Sequence, residues 1–125
     1  MTTWTADELR SVGDAVQLRI AAQRPDGTLR PYVTIWHVRS GDSIYVRSAH
    51  GTNNGWFRRA KDSGTGRISA GGVEQDVTFA PADPGVREEV DRAYHAKYDQ
   101  YGPAPVGAVT GPDVLETTLR VMPRD

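Results

Sequence analysis

Residues 29–39 carry the pattern that most restricts the fold. In an extended chain Tyr32, Thr34, Trp36 and Val38 point to one side, and Val33, Ile35 and His37 to the other. Both sides are partly apolar. An antiparallel strand covered on both faces belongs in a closed or partly closed barrel, where one face is core and the other meets a helix or a partner.

The flanking segments supply strands for such a barrel. Residues 17–24 alternate, with Leu18, Ile20 and Ala22 opposite Gln17, Arg19 and Gln23. Asp26-Gly27 then predicts a hairpin turn into the 29–39 strand, with Pro31 at its edge or start. Ser40-Gly41-Asp42 turns the chain into a third strand at 43–48, and Gly71-Gly72 predicts a hairpin joining 67–70 to 73–81. A last strand is expected at 114–122. Thr5 and Glu8 form a capping box, with Trp4 and Leu9 as a hydrophobic staple, so a first helix starts there and ends at Gly13. A short helix is expected at 55–62. Asp83-Pro84 starts the longest helix, whose apolar positions run at helical spacing to Tyr101 before Gly102-Pro103 stops it. Residues 103–113 are Gly- and Pro-rich and expected to be irregular. The whole chain, 1–125, reads as a single α+β domain.

Composition removes several classes of function. The net charge is −1 with 25% charged residues, so no global basic field holds nucleic acid and any anion site must be local. Without cysteine there is no disulfide framework, thiolate nucleophile or Cys-ligated zinc. The first residues lack a signal-peptide apolar region and no run is long enough to span a bilayer, which predicts a cytoplasmic protein without membrane insertion.

Chemistry concentrates between residues 47 and 59, R-S-A-H-G-T-N-N-G-W-F-R-R, where a strand gives way to a helix. Arg47 is followed by Ser48, Thr52, Asn53 and Asn54, with Gly51 and Gly55 between and Arg58, Arg59 and Lys61 beyond. Amides at a helix start lack intrahelical partners and the dipole adds positive charge, so the junction suits an anion. Neither a G-x-G-x-x-G nor a P-loop motif is present. His37, His50 and His95 have no i, i+4 partner, so no metal site is expected, although His50 in the loop could touch a ligand. Ser48, His50 and Asp62 lack the nucleophile elbow of a hydrolase. Glu88, Glu89 and Asp91 fall in early helical turns, where dipole compensation explains them. Tyr32, Trp36, Trp56 and Phe57 are either core or a flat wall for a planar ring attached to a phosphate. Pairing of the second and third strands would bring Arg30, Tyr32, Arg47, Ser48 and Trp56 together.

The run P-Y-V-T-I-W-H-V-R-S-G-D-S-I-Y-V-R-S-A-H-G-T-N-N-G-W-F-R-R-A, residues 31–60, resembles the split β-barrel flavin and deazaflavin oxidoreductases, especially the deazaflavin-dependent nitroreductase branch. W-T-A-D-E-L, D-G-T-L-R-P, I-Y-V-R-S, W-F-R-R-A and R-I-x-A-G-G-V-E-x-D-V-T-F are similar to a bacterial domain-of-unknown-function family within that superfamily. The resemblance implies a six-stranded antiparallel split β-barrel of the FMN-binding type with flanking helices, forming a homodimer. It implies FMN or a deazaflavin coenzyme held between the second and third strands and the following helix, and a small-molecule substrate. It places Arg30, Thr34, Arg47, Ser48 and Gly51 at phosphate and ring contacts, with Trp56 starting the helix below. Tyr32, Trp36, His50 and Arg59 complete the candidate set. A-H-G-T stands where the nitroreductases show a glycine pair, and Arg59 where they have asparagine. The expected function is a flavin- or deazaflavin-dependent oxidoreductase acting on a small molecule. The alternative is a non-catalytic binder of flavin, haem or lipid on the same fold.

Overall fold

The computed structural model describes residues 3–124. Helix α1 (Ala6–Asp14) begins at the expected capping box: Glu8 N donates to Thr5 Oγ1 at 3.1 Å and Thr5 N to Glu8 Oε1 at 2.9 Å. It turns Leu9 and Val12 inward, and the Trp4 indole N–H donates to Val121 O at 3.0 Å. Strands β1 (Leu18–Ala22), β2 (Val33–Ile35), β3 (His37–Ser40) and β4 (Ser43–Val46) follow, then helix α2 (Gly55–Ser63). Strands β5 (Thr65–Ala70) and β6 (Val73–Pro81) lead to helix α3 (Arg87–Tyr98), short helix α4 (Pro103–Gly107) and strand β7 (Leu119–Pro123).

The sheet is antiparallel throughout, in the order β2-β1-β5-β6-β7-β4-β3. Its two edge strands are consecutive pieces of one extended segment, interrupted only at Trp36. Leu18 pairs with Ile35 on one side of that break and His37 with Val46 on the other, so the segment bends from one sheet edge to the other and nearly closes the barrel. Counting it once gives the six strands of a split barrel. The continuous strand expected over 29–39 therefore becomes two, because no straight strand can pair at both edges of a curved sheet.

The first hairpin also differs from a simple two-residue turn. Asp26 does cap the turn, accepting from Thr28 N at 3.0 Å, and Gly27 has φ +90°. Gln23 bridges Leu29, yet Ile20 pairs with Val33, so the register shifts by one residue across 30–32. Pro31 has no N–H for the ladder, and the chain bulges there. Gly71 and Gly72 make the second hairpin with φ of +57° and +84°, as a type I′ turn requires.

Two apolar clusters explain the two-sided pattern of residues 29–39. Inside the barrel Leu18, Ile20, Ile44, Val46, Ile68, Val77, Leu119 and Val121 pack with α1 and with Phe57 and Ala60 of α2. Outside it α3 and α4 cover β3 and β4, and Val38 and Tyr45 pack against Val90, Tyr94, Tyr98 and Val106. The Tyr98 hydroxyl accepts from His37 N at 3.1 Å and donates to Val16 O at 2.7 Å, tying α3 to the bend. The last strand begins at Leu119 rather than at 114, since residues 112–117 form a 3₁₀ turn opened by Pro112. There Thr117 and Thr118 donate their hydroxyls to Val114 O and Leu115 O, both at 2.8 Å.

Candidate functional site

Between β4 and α2 the chain makes a tight loop, residues 47–54. Ser48 N donates to Thr117 Oγ1 at 3.0 Å and His50 N to Ala108 O at 2.8 Å, so the loop hangs between β7's approach and α4. Its interior is closed by the Ser48 hydroxyl donating to Gly51 O, and by Asn54 Nδ2 donating to Ser48 Oγ at 2.9 Å and Ala49 O at 2.7 Å. Asn54 stands at the N-cap of α2, but its amide is committed to the loop and makes no capping bond. The first amides of α2 are thus left without a side-chain partner.

A cleft of about 490 Å3 opens over this junction. Val33, Thr34, Ile35 and Trp36 of the bent segment form one wall, Ala49, His50, Asn54 and Trp56 a second, and Pro105, Ala108 and Val109 a third. Trp36 is braced from behind by Tyr98, with ring centroids 4.0 Å apart and planes 8° from parallel. A second cavity of about 480 Å3 shares α2 and the approach to β2. Arg24, Arg30 and Arg59 line it with Gln23, Asp62, Ser63 and Thr65. Arg59 folds back along α2: a Cβ on Gly55 would lie 2.7 Å from Arg59 Nη1, which sets the guanidinium beside the helix start.

The sequence-derived candidates divide among four places. Thr34, Trp36, His50 and Trp56 share the first cleft, and Arg30 and Arg59 share the second. Ser48 and Gly51 are buried and hold the loop's shape. Tyr32 lies apart, with the Arg19 guanidinium carbon 5.5 Å from its ring centre and a buried hydroxyl lacking a partner. Burial pushes that phenol above its ordinary value.

Arg47 requires a correction. Its side chain is fully buried, and all its donors face inward: Nε to Thr118 Oγ1 at 2.9 Å, Nη1 to Asp91 and to Val109 O at 3.1 Å, and Nη2 to Arg87 O at 3.0 Å. The expectation that it offers a free charge to a phosphate does not match this geometry. It forms the floor of the first cleft and clips α3 and the third wall to the barrel. Gln17, Asn54, Pro105, Ala108 and Val109 were not in the candidate set. Apart from Asn54 they reach the cleft only through folding, from segments far along the chain with no motif to mark them. Arg24 was missed for the second cavity, although Asp26-Gly27 beside it marks the turn.

Among the described residues no group of three His, Asp or Glu side chains converges to hold a metal, and no helix is long and apolar enough to cross a membrane.

A nearly closed antiparallel barrel with a cleft at its bent strand defines a split β-barrel protein. The chain belongs to the family described as "Uncharacterized protein conserved in bacteria (DUF2255)", which it matches over residues 8–121. Among solved structures it is similar to a Listeria innocua protein assigned as a pyridoxamine 5′-phosphate oxidase, with TM-score 0.62 and 10% identity over 94% of this chain and 90% of that one. A FAD-binding protein from Mesorhizobium loti matches with TM-score 0.58 and 19% identity, covering 98% and 92%. An F420 reductase matches with TM-score 0.56 and 18% identity, covering 93% and 92%. At these identities the likeness is one of fold. No curated protein matches the sequence.

Proposed function

We propose that this protein binds a phosphate-bearing flavin-type coenzyme, FMN or a deazaflavin, and serves as an oxidoreductase toward a small molecule. The observation that carries the reading is the pairing of two cavities along one strand and one helix. One has aromatic and aliphatic walls suited to a flat ring, and the other has three arginines suited to an anionic tail. None of Arg24, Arg30 and Arg59 forms an ion pair with an acid among the described residues; Arg24 Nη1 donates to Leu29 O at 3.0 Å and Asp62 shares the lining, which leaves Arg30 and Arg59 as the cations best placed for an anion. The uncapped start of α2 opens on the first cleft, where Asn54 and Trp56 stand, and adds amide donors and a favourable dipole there. The names carried by similar folds, FAD-binding and F420 reductase among them, agree with this ligand class.

In this arrangement Trp36 and Trp56 flank the ring and exclude water, the Thr34 hydroxyl offers a hydrogen bond to its edge, Asn54 Oδ1 can accept one, and Arg30 and Arg59 hold the phosphate. The coenzyme, when bound, supplies the hydride chemistry. Titration of the purified protein with FMN, riboflavin and F420, followed by ligand fluorescence, tests the reading. FMN or F420 should bind more tightly than riboflavin, and absence of binding by all three would overturn the proposal. Reduction of the bound ring and its reoxidation by an added acceptor separates an oxidoreductase from a passive binder.

We extend the proposal to a homodimer. Tyr101 is 47% exposed with its ring centre 5.6 Å from that of the half-buried Trp36, Val16 is 49% exposed, and a solved structure of similar fold is described as a domain-swapped dimer. The covered outer face of β3 no longer argues for a partner, because α3 occupies it. Sedimentation equilibrium showing only monomer at every micromolar concentration would refute the dimer.

A further inference from the structure

We infer that His50 meets the bound ring directly, and that its backbone is held in a strained conformation to put the imidazole there. This deepens the coenzyme reading above and rests on it. His50 has φ +64°, and among the described residues it is the one non-glycine residue with positive φ. That region is sparsely occupied by residues bearing a Cβ, histidine being one of the few found there more often, and glycine reaches it at lower cost. The neighbouring Gly51, at φ +117°, shows that the backbone here accepts glycine.

The loop leaves His50 no alternative. Its amide is bound to Ala108 O, while Ser48, Gly51 and Asn54 close the segment on either side of it. These bonds use backbone atoms and neighbouring side chains, and none uses the imidazole, which is exposed at the cleft wall. A side chain that contributes no bond to its own loop, yet occupies a position where glycine would be less strained, is kept for something outside the loop. His50 is the one imidazole in the cleft's lining; Arg47 is consumed internally, and the other polar side chains there are the Thr34 hydroxyl and the Asn54 and Gln17 amides. The arginines stand in the other cavity, so the imidazole serves the ring and not the phosphate.

The test compares His50→Gly and His50→Asn with the unchanged protein, using FMN and riboflavin as probes and thermal melting alongside. Both variants tolerate positive φ, so neither should melt below the unchanged protein. His50→Gly should weaken FMN and riboflavin alike by about tenfold, corresponding to about 1.4 kcal/mol. His50→Asn, with a shorter hydrogen-bonding tip, should lose less than His50→Gly. Unchanged affinity in both variants overturns the inference. So does a loss confined to FMN, which would put His50 at the phosphate, or a lower melting temperature accompanying the loss, which would make it structural. If the unchanged protein binds neither probe, F420 takes their place in the same comparison; binding of none of the three overturns the coenzyme reading and this inference with it, and the other failures leave that reading standing.

Discussion

Arg47 and Asp91 form an ion pair that locks helix α3 to the barrel, the guanidinium wholly buried and the carboxylate 28% exposed. The same guanidinium bonds Val109 O and Arg87 O, and Asp91 Oδ2 accepts from Gly111 N at 3.5 Å. One buried cation thereby joins β4, α3 and the segment that forms the third wall of the cleft.

Arg47→Ala should therefore act on stability first. Removing it strands buried carbonyls and a carboxylate, and urea unfolding should show a loss of about 3 kcal/mol. Any loss of affinity that accompanies it should be the same for FMN and riboflavin, since the guanidinium does not face the phosphate. A loss confined to FMN, with unchanged stability, would contradict the buried network.

Arg59→Ala should behave in the opposite way. Arg59 is exposed, makes no ion pair among the described residues and lies beside the start of α2. Its removal should weaken FMN by about 1.5 kcal/mol, the low end for a charged hydrogen bond in a solvated site, while riboflavin binding and melting temperature stay constant. Parallel fluorescence titrations would show this, and equal weakening of both ligands would move Arg59 away from the phosphate.

Stability should fall in mild acid because of His37. Its Nε2 pairs with Val12 O at 2.5 Å and its Nδ1 is buried without a partner. Burial pushes the imidazole down to about 4 from its ordinary 6.5, and the Lys97 ammonium nearby adds to the effect. As pH drops through 6.5 the unfolded chain gains a proton that the folded protein refuses until about pH 4, so stability is lost across that window. Between pH 6.5 and 5 the loss from this group should be about 1.6 kcal/mol. Urea unfolding at both pH values measures it, and the drop should shrink by that amount in His37→Gln.

Gly66→Ala should disrupt the barrel wall. A Cβ there would sit 2.1 Å from Ala21 O and 2.9 Å from Phe79 Cε2, between paired strands β1 and β5. Backbone cannot yield as a side chain would, so a destabilisation of roughly 3 kcal/mol is expected from overpacking. A melting temperature unchanged by the substitution would mean that the two strands separate more easily than their ladder suggests.

Much of the architecture is written locally. The Thr5–Glu8 capping box, the glycine pair at 71–72 and the turn at Asp26-Gly27 are short-range instructions, and each appears in the fold because its partners lie within a few residues; Asp83-Pro84 likewise starts a turn, but a 3₁₀ one over 84–86 that precedes α3. The two-sided apolar pattern of 29–39 likewise called for cover on both faces, which the barrel core and α3 provide. The strand-to-helix junction and several of the residues that gather there could be read from residue type and spacing alone.

What the sequence could not decide is which way a side chain turns once the barrel closes. Arg47 alternates with Val46, and nothing nearby says that Asp91, 44 residues on, will meet its guanidinium. Pro31 signals an edge, but the one-residue shift that follows depends on two strands competing for register across the sheet. Only closure at Trp36 brings β2 and β3 to opposite edges, carries Pro105 and Val109 over the cleft, and separates the tryptophan-walled cleft from the arginine-lined cavity. Those outcomes rest on contacts between residues distant in the chain, whose loss of chain entropy is repaid only when the whole barrel forms.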